Sequence, residues 1–274
     1  QIQQSGTDFF SVFVRGIIER EANEKWIDRS GEHEVGTPLL TVDEHCELLA
    51  QVALAMWEAR VDSLKRDNLE FVTDYFCEAG GKSVFQSRQA RERIRGHALL
   101  VPSGAGSQAV EFDHDEFRLF FLGEAVAGQF GPMNDRSKAE VLGSFRRGVL
   151  PRQAQYACIR ALSRGATFNL PKAVAFLQDV AAMDAQASYT QENCSDITIR
   201  LLNGLDGGGL EVRGLSFGPG ALRGRKLSAT SFRGCYWSPT SLEGANLSNC
   251  TFVDCTFTQL RVFGSTRFER VTFE

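Results

Sequence analysis

Large apolar side chains return at every fifth residue from Leu222 onward: Leu222, Leu227, Phe232, Trp237, Leu242, Leu247, Phe252, Phe257 and Val262. An amphipathic helix repeats at about 3.6 residues and a half-buried strand at about two, so neither can carry this pattern. A period of five requires a coil whose every turn presents one inward side chain per face, stacked on its equivalent in the next turn. The position two before the beat is mostly small, as at Gly220, Thr230, Cys235, Thr240, Ala245, Cys250 and Cys255, which suits the corner of a coil. Weaker beats at Val212 and Phe217 precede the run, and Phe268 and Phe273 follow it after a one-residue slip.

The runs Ala245-Asn246-Leu247-Ser248-Asn249, Cys250-Thr251-Phe252-Val253-Asp254 and Cys255-Thr256-Phe257-Thr258-Gln259 resemble the pentapeptide-repeat family. That resemblance implies a right-handed quadrilateral β-helix with four pentads to a coil, and about three coils between Leu210 and Glu274. So short a stack leaves unpaired backbone and the edges of Phe268 and Phe273 at its C-terminal end. The expectation is that further chain, a second copy or a protein partner covers that end, and that the helices before Leu210 cap the other.

The chain of 274 residues is 43% hydrophobic and 23% charged, which is ordinary for a water-soluble protein with more than one core. No apolar run approaches the roughly 20 residues of a membrane span, so a membrane is not an expected partner. Gln1 opens a polar run with no basic n-region, and the reading expects an internal start rather than a signal peptide. The seven cysteines lack any C-x-x-C pair and read as small packing thiols in a reducing, cytoplasmic compartment. Residues 195–274 carry net charge +2 and the remainder −6. Some pentapeptide-repeat proteins imitate DNA with rows of carboxylates and occupy the DNA site of a type II topoisomerase. A slightly basic solenoid lacks that field. Arg223, Arg225, Lys226 and Arg233 read as a solvated face, and nucleic acid is not the expected partner.

The first two hundred residues read as helices with one small hairpin. Phe9, Phe10, Phe13, Val14, Ile17 and Ile18 have helical spacing, and loop signals follow at Ser30-Gly31 and Gly36-Thr37-Pro38. Thr41-Val42-Asp43-Glu44 is a capping box that opens a helix carrying Leu48, Leu49, Val52, Ala53, Met56, Trp57 and Val61. Gln86 to Arg95 carries four arginines, and a hairpin follows from Ala98–Val101, a Gly- and Ser-rich turn, and Ala109–Phe112. The order of helices and then a hairpin wing is that of a winged-helix unit. Helical patterns over Asp135–Arg147, Pro151–Arg164 and Leu170–Ala187 form a bridging array, with the polar run Ser188–Ser195 as boundary and Ile197–Leu202 beginning the β region.

Phe112-Asp113-His114-Asp115-Glu116-Phe117-Arg118-Leu119-Phe120-Phe121-Leu122 resembles the string that closes the winged-helix region of NACHT-type STAND NTPases. There the histidine reaches the phosphates of bound ADP, a role the resemblance gives to His114 only beside an upstream NTPase module. The other reading makes His114 a helix cap packed under Phe117. Gly81-Lys82-Ser83 imitates the end of a P-loop, but Phe76 stands where the first glycine belongs and helical sequence replaces the strand. Neither a nucleophile elbow nor paired metal-ligand histidines occur among His33, His45, His97 and His114.

The reading is therefore an α+β multidomain chain. It has a winged-helix-like region at 1–130, a helical bridge at 131–194 and a pentapeptide-repeat solenoid at 195–274. Neither catalysis, a metal nor a cofactor is expected in this chain, with ATP or ADP belonging only to a full-length parent. The expected role is the sensor and regulatory portion of a bacterial STAND protein, binding a protein partner through the solenoid, in antiphage defence or stress surveillance. Self-association is one way to cover the last coil. The alternative is a free-standing solenoid that inhibits an enzyme such as a type II topoisomerase.

Overall fold

The computed structural model describes residues 9–28, 36–104, 106–165, 168–203 and 206–274. Ser30-Gly31 and His33 lie outside the described residues. Two compact units meet within one helix, Gln1–Ala125 and Val126–Glu274.

In the first unit, α1 (Phe9–Arg20) buries Val14 and Ile18 and runs into a π-helical turn, Glu21–Lys25. Helix α2 (Val42–Ala59) begins at the capping box: Thr41 Oγ1 accepts from the Glu44 amide at 3.2 Å, and Glu44 Oε2 accepts from the Thr41 amide at 2.7 Å. Leu48, Leu49, Val52 and Met56 are fully buried along its inner stripe. Strand β1 (Ser63–Lys65), α3 (Arg66–Ala79), α4 (Val84–Ile94), β2 (Leu100–Pro102) and β3 (Ala109–Phe112) follow, and α5 (Asp115–Phe130) leaves the unit. Ser83 and Gln86 form a second capping box at the start of α4. The hairpin stands where the sequence places it, but the third strand, β1, is new: it pairs antiparallel with β3, giving the order β1-β3-β2. Three residues are too few to show a period, so β1 depends on β3 for its existence.

The second unit opens with α6 (Asp135–Phe145), α7 (Arg152–Arg164), α8 (Leu170–Met183) and α9 (Ser188–Leu202). Asn134 and Asn169 cap α6 and α8 through side-chain oxygens, and Pro151 and Pro171 stand at helix starts, where a missing amide hydrogen costs nothing. Helix α9 corrects the sequence reading. Ser188–Ser195 is not a linker and Ile197–Leu202 is not the beginning of the β region; both belong to one buried helix. Tertiary contacts satisfy its buried amide side chain, while the buried hydroxyls of Ser195 and Thr198 have no partner among the described residues. Asn193, fully buried, accepts from the Leu150 amide at 2.8 Å and donates to the Gly148 and Phe145 carbonyls at 2.8 and 3.3 Å. The β-branched run Ile197-Thr198-Ile199 has strand propensity, which packing on α8 and the first coil overrides.

From Asp206 the chain is a β-solenoid of parallel strands. Val212 pairs with Phe232 and Phe232 with Phe252; Phe217 pairs with Trp237 and Trp237 with Phe257; Leu227 pairs with Leu247; and Thr240 pairs with Leu260. Each of these partners is twenty residues away, so four pentads make one turn, and the stack has about three turns. The slip appears as Phe252 pairing with Phe273 and Asn246 with Arg267, each one residue late. A signal absent from the sequence reading lies two residues after most beats, where the backbone enters the left-handed region. Gly214, Gly224, Gly234 and Gly244 take positive φ there, and so do Ala229, Asn249 and Asp254. Glycine relieves the Cβ clash that this turn imposes.

Candidate functional site

Inside the solenoid, Leu222, Leu227, Phe232, Trp237, Leu242, Leu247 and Phe252 are at most 2% exposed. Two aromatic columns run along it. Phe232, Phe252 and Phe273 stack at 5.2 and 5.0 Å, and Phe217, Trp237 and Phe257 at 4.1 and 5.7 Å, all within 16° of parallel. Thr230, Cys235, Thr240, Ala245 and Cys250 are buried at the corners. Burial pushes the Cys235 thiol up to about 12 and raises that of Cys250, so these thiols stay protonated packing groups.

The last turn is different. Phe257 is only half-buried, and Val262, expected inward, is 57% exposed. The physical reason is the end of the stack: among the described residues no further strand covers the ladder of Val262. Phe263, Phe268 and Phe273 are 41%, 44% and 51% exposed on the same coil. This apolar, strand-edged end and the outer faces are what the solenoid offers a partner.

The outer faces carry interspersed charge. Each described carboxylate between 208 and 272 stands beside arginine: Glu211 with Arg213 and Arg233, Glu243 with Arg223 at 2.8 Å, Asp254 with Arg233 at 3.9 Å, and Glu269 with Arg270 at 3.0 Å. No uncompensated row of carboxylates runs along these coils among the described residues. Of Arg223, Arg225, Lys226 and Arg233, grouped in sequence, Arg223 and Arg233 stand beside carboxylates. Arg225 alone turns inward, donating from Nε to the Ala221 carbonyl at 3.2 Å.

In the first unit, His114 stands exposed just before α5. Its Nε2 lies 3.7 Å from Asp113, its ring 5.7 Å from that of Phe117, and its carbonyl accepts from the Phe117 amide at 3.1 Å. Asp115 is turned away to Arg118 at 2.6 Å. Lys82 is an ion-pair partner of Glu44 at 2.6 Å in the turn between α3 and α4, with Phe76 inside α3. Burial alone would raise the Glu44 carboxyl, but Lys82 and the Thr41 amide outweigh it and hold the group below its ordinary value.

Sequence reasoning missed a buried polar cluster. Trp26, His45 and His97 pack ring to ring at 4.7, 5.9 and 5.5 Å, beside a fully buried Glu21 on the π-helical turn. Glu21 Oε1 accepts from Lys25 at 2.5 Å, while its Oε2, both ring nitrogens of His45 and Nε2 of His97 have no partner. Burial drives both histidines down to about 4; His97 adds to the effect at His45, and Lys25 adds to it at His97. No spacing signals this cluster, because its members come from three separate segments. Among the described residues no group of three or more His, Cys, Asp or Glu could hold a metal, and no helix is long and apolar enough to cross a membrane.

No curated protein matches the chain. A family model, Pentapeptide repeats, matches residues 226–259 in 8 copies. With the ladders above, the C-terminal part of this chain is a pentapeptide-repeat β-solenoid.

Proposed function

We propose that the chain is the non-catalytic sensor and regulatory portion of a bacterial STAND protein of NACHT type. In this reading a right-handed quadrilateral solenoid binds a protein partner, and a winged-helix arm conveys that event to a nucleotide switch. The observation that supports the arm is its order of elements: a helix, β1, two helices, then the β2–β3 hairpin, with sheet order β1-β3-β2. Helix α5 follows at once, carrying the string that contains His114. Exposed beside Asp113, His114 is free to donate to a phosphate supplied by an adjoining NTPase module. Partner binding then shifts the population toward an open, oligomerising state, in antiphage or stress surveillance. Solenoids of this kind often mediate protein interaction, and neither ATP turnover nor a cofactor of this chain's own enters the reading.

The runner-up is a solenoid that inhibits a type II topoisomerase. Charge separates the two, since DNA mimicry needs a continuous acidic face and the described carboxylates between 208 and 272 each stand beside arginine. A supercoiling assay with a type II topoisomerase tests this. Unchanged activity at micromolar concentrations of the chain is expected, and stoichiometric inhibition would replace the sensor reading with the runner-up.

A further inference from the structure

Helices α3 and α4 are joined by a short turn, residues 80–83, in which Gly81 takes a φ of 66°. The turn brings α4 against α3 and leaves a cleft of about 610 Å³, lined by Arg66 and Glu70 of α3, by Arg88, Arg91 and Glu92 of α4, and by Arg95 at the end of α4. Positions 88, 91, 92 and 95 share one face of a helix, so the cleft receives all four of these side chains. Among the described residues its lining holds no apolar or aromatic side chain.

The ion pairs here leave most of the guanidinium donors uncommitted. Arg66 reaches Glu70 at 2.6 Å and Arg88 reaches Glu92 at 3.0 Å, each through Nε, while Arg91 reaches Asp74 at 3.1 Å through Nη1. Arg95 has no ion pair among the described residues. A guanidinium carries five N–H donors, so a contact through Nε leaves the fork at its end for another acceptor. Exposed pairs of this kind are worth under about 1 kcal/mol, too little to hold the arginines against a stronger anion. Four arginines stand against three carboxylates, Asp74 included, in a unit whose residues 1–125 carry net charge −9. The cleft is a cationic recess in acidic surroundings.

We infer that the cleft between α3 and α4 binds a small anion carrying several phosphates, held by Arg66, Arg88, Arg91 and Arg95. Phosphate oxygens match the guanidinium fork and accept from several arginines at once. A ligand with a large apolar ring finds nothing in this lining to receive the ring. A long polyanion such as duplex DNA would extend past the cleft over the acidic surroundings, whereas a small one is contained. The site shares no residue with the string around His114 and asks nothing of a nucleotide switch, so either idea survives the failure of the other.

The test is calorimetric titration of the full chain with tripolyphosphate, without magnesium and at fixed ionic strength. One tripolyphosphate per chain should bind with a Kd of about 10–100 μM, and orthophosphate at least about tenfold more weakly. ATP should bind no more tightly than tripolyphosphate. Arg95→Gln, at an exposed position without an ion pair, should weaken tripolyphosphate about tenfold. Glu92→Gln removes a carboxylate from the lining and should tighten binding about threefold, a gain that damage to the fold cannot produce. Arg147→Gln, an exposed arginine of the second unit, should change nothing. Absence of saturable binding, equal affinity in all variants, weaker binding in Glu92→Gln, or a preference for ATP or a short DNA duplex over tripolyphosphate overturns the proposal.

Discussion

Phe232 and His45 are both fully buried, yet their surroundings differ in kind. Phe232 lies in a column of its own type, with Phe252 stacked at 5.2 Å and Trp237 edge-on at 5.2 Å. His45 lies among Trp26, His97 and Glu21, and neither of its nitrogens finds a partner. The solenoid repeats one solution, so its interior is apolar and almost free of groups that titrate in acid. The first unit assembles its interior from unrelated segments, so polar groups are enclosed there and kept neutral by burial. Periodic stacking and irregular packing should therefore respond to different perturbations.

The largest effect expected is that of Phe232→Ala, which removes the middle of a column and should cost about 3–5 kcal/mol in chemical denaturation. Phe273→Ala, at the half-exposed end, should cost under about 1 kcal/mol. Equal losses would mean that the last turn is covered in solution.

Acid should separate the two interiors next. In the folded chain His45 and His97 protonate only near 4, against an ordinary 6.5, so the unfolded chain takes up protons first. Stability is complete above about 6.5 and falls as pH drops toward 4, by up to about 3 kcal/mol for each histidine. His97 has a further reason to resist, because its Nδ1 accepts from the Leu99 amide at 3.2 Å and protonation would remove that acceptor. Lys25, Glu21 and Glu44 with its partner Lys82 are the charged groups around the pair. Denaturation of the chain between pH 7 and 4.5 should show this slope, and His45→Phe should flatten it. A slope unchanged in the variant would place the acid sensitivity elsewhere.

The smallest effect concerns a feature that needs no tertiary partner. Thr41→Ala removes one half of the capping box and should lower stability by about 1 kcal/mol at any pH above 5. A loss of several kcal/mol would show that the box also supports the ion pair of Glu44 with Lys82.

What could be read in advance follows the same division. The hairpin at Leu100–Pro102 and Ala109–Phe112, the cap at Thr41 and the inward beats from Leu222 to Phe252 rest on local signals. Helix α9 was illegible, because Ser188–Ser195 looks like a linker until Leu150 and Gly148 meet Asn193. Arg225 was legible only as one of a basic group, since the slot it occupies is visible but its inward turn onto the Ala221 carbonyl is not.

Alone, then, the sequence determined a coil with a five-residue beat, because that period excludes helix and flat strand whatever the surroundings. Tertiary structure decided where the coil begins, which of its beats are left outside at Val262, and which polar groups are enclosed at His45, His97 and Asn193. Period is a property of neighbouring residues, whereas burial of a polar group depends on partners brought from distant segments, and only the folded chain supplies those.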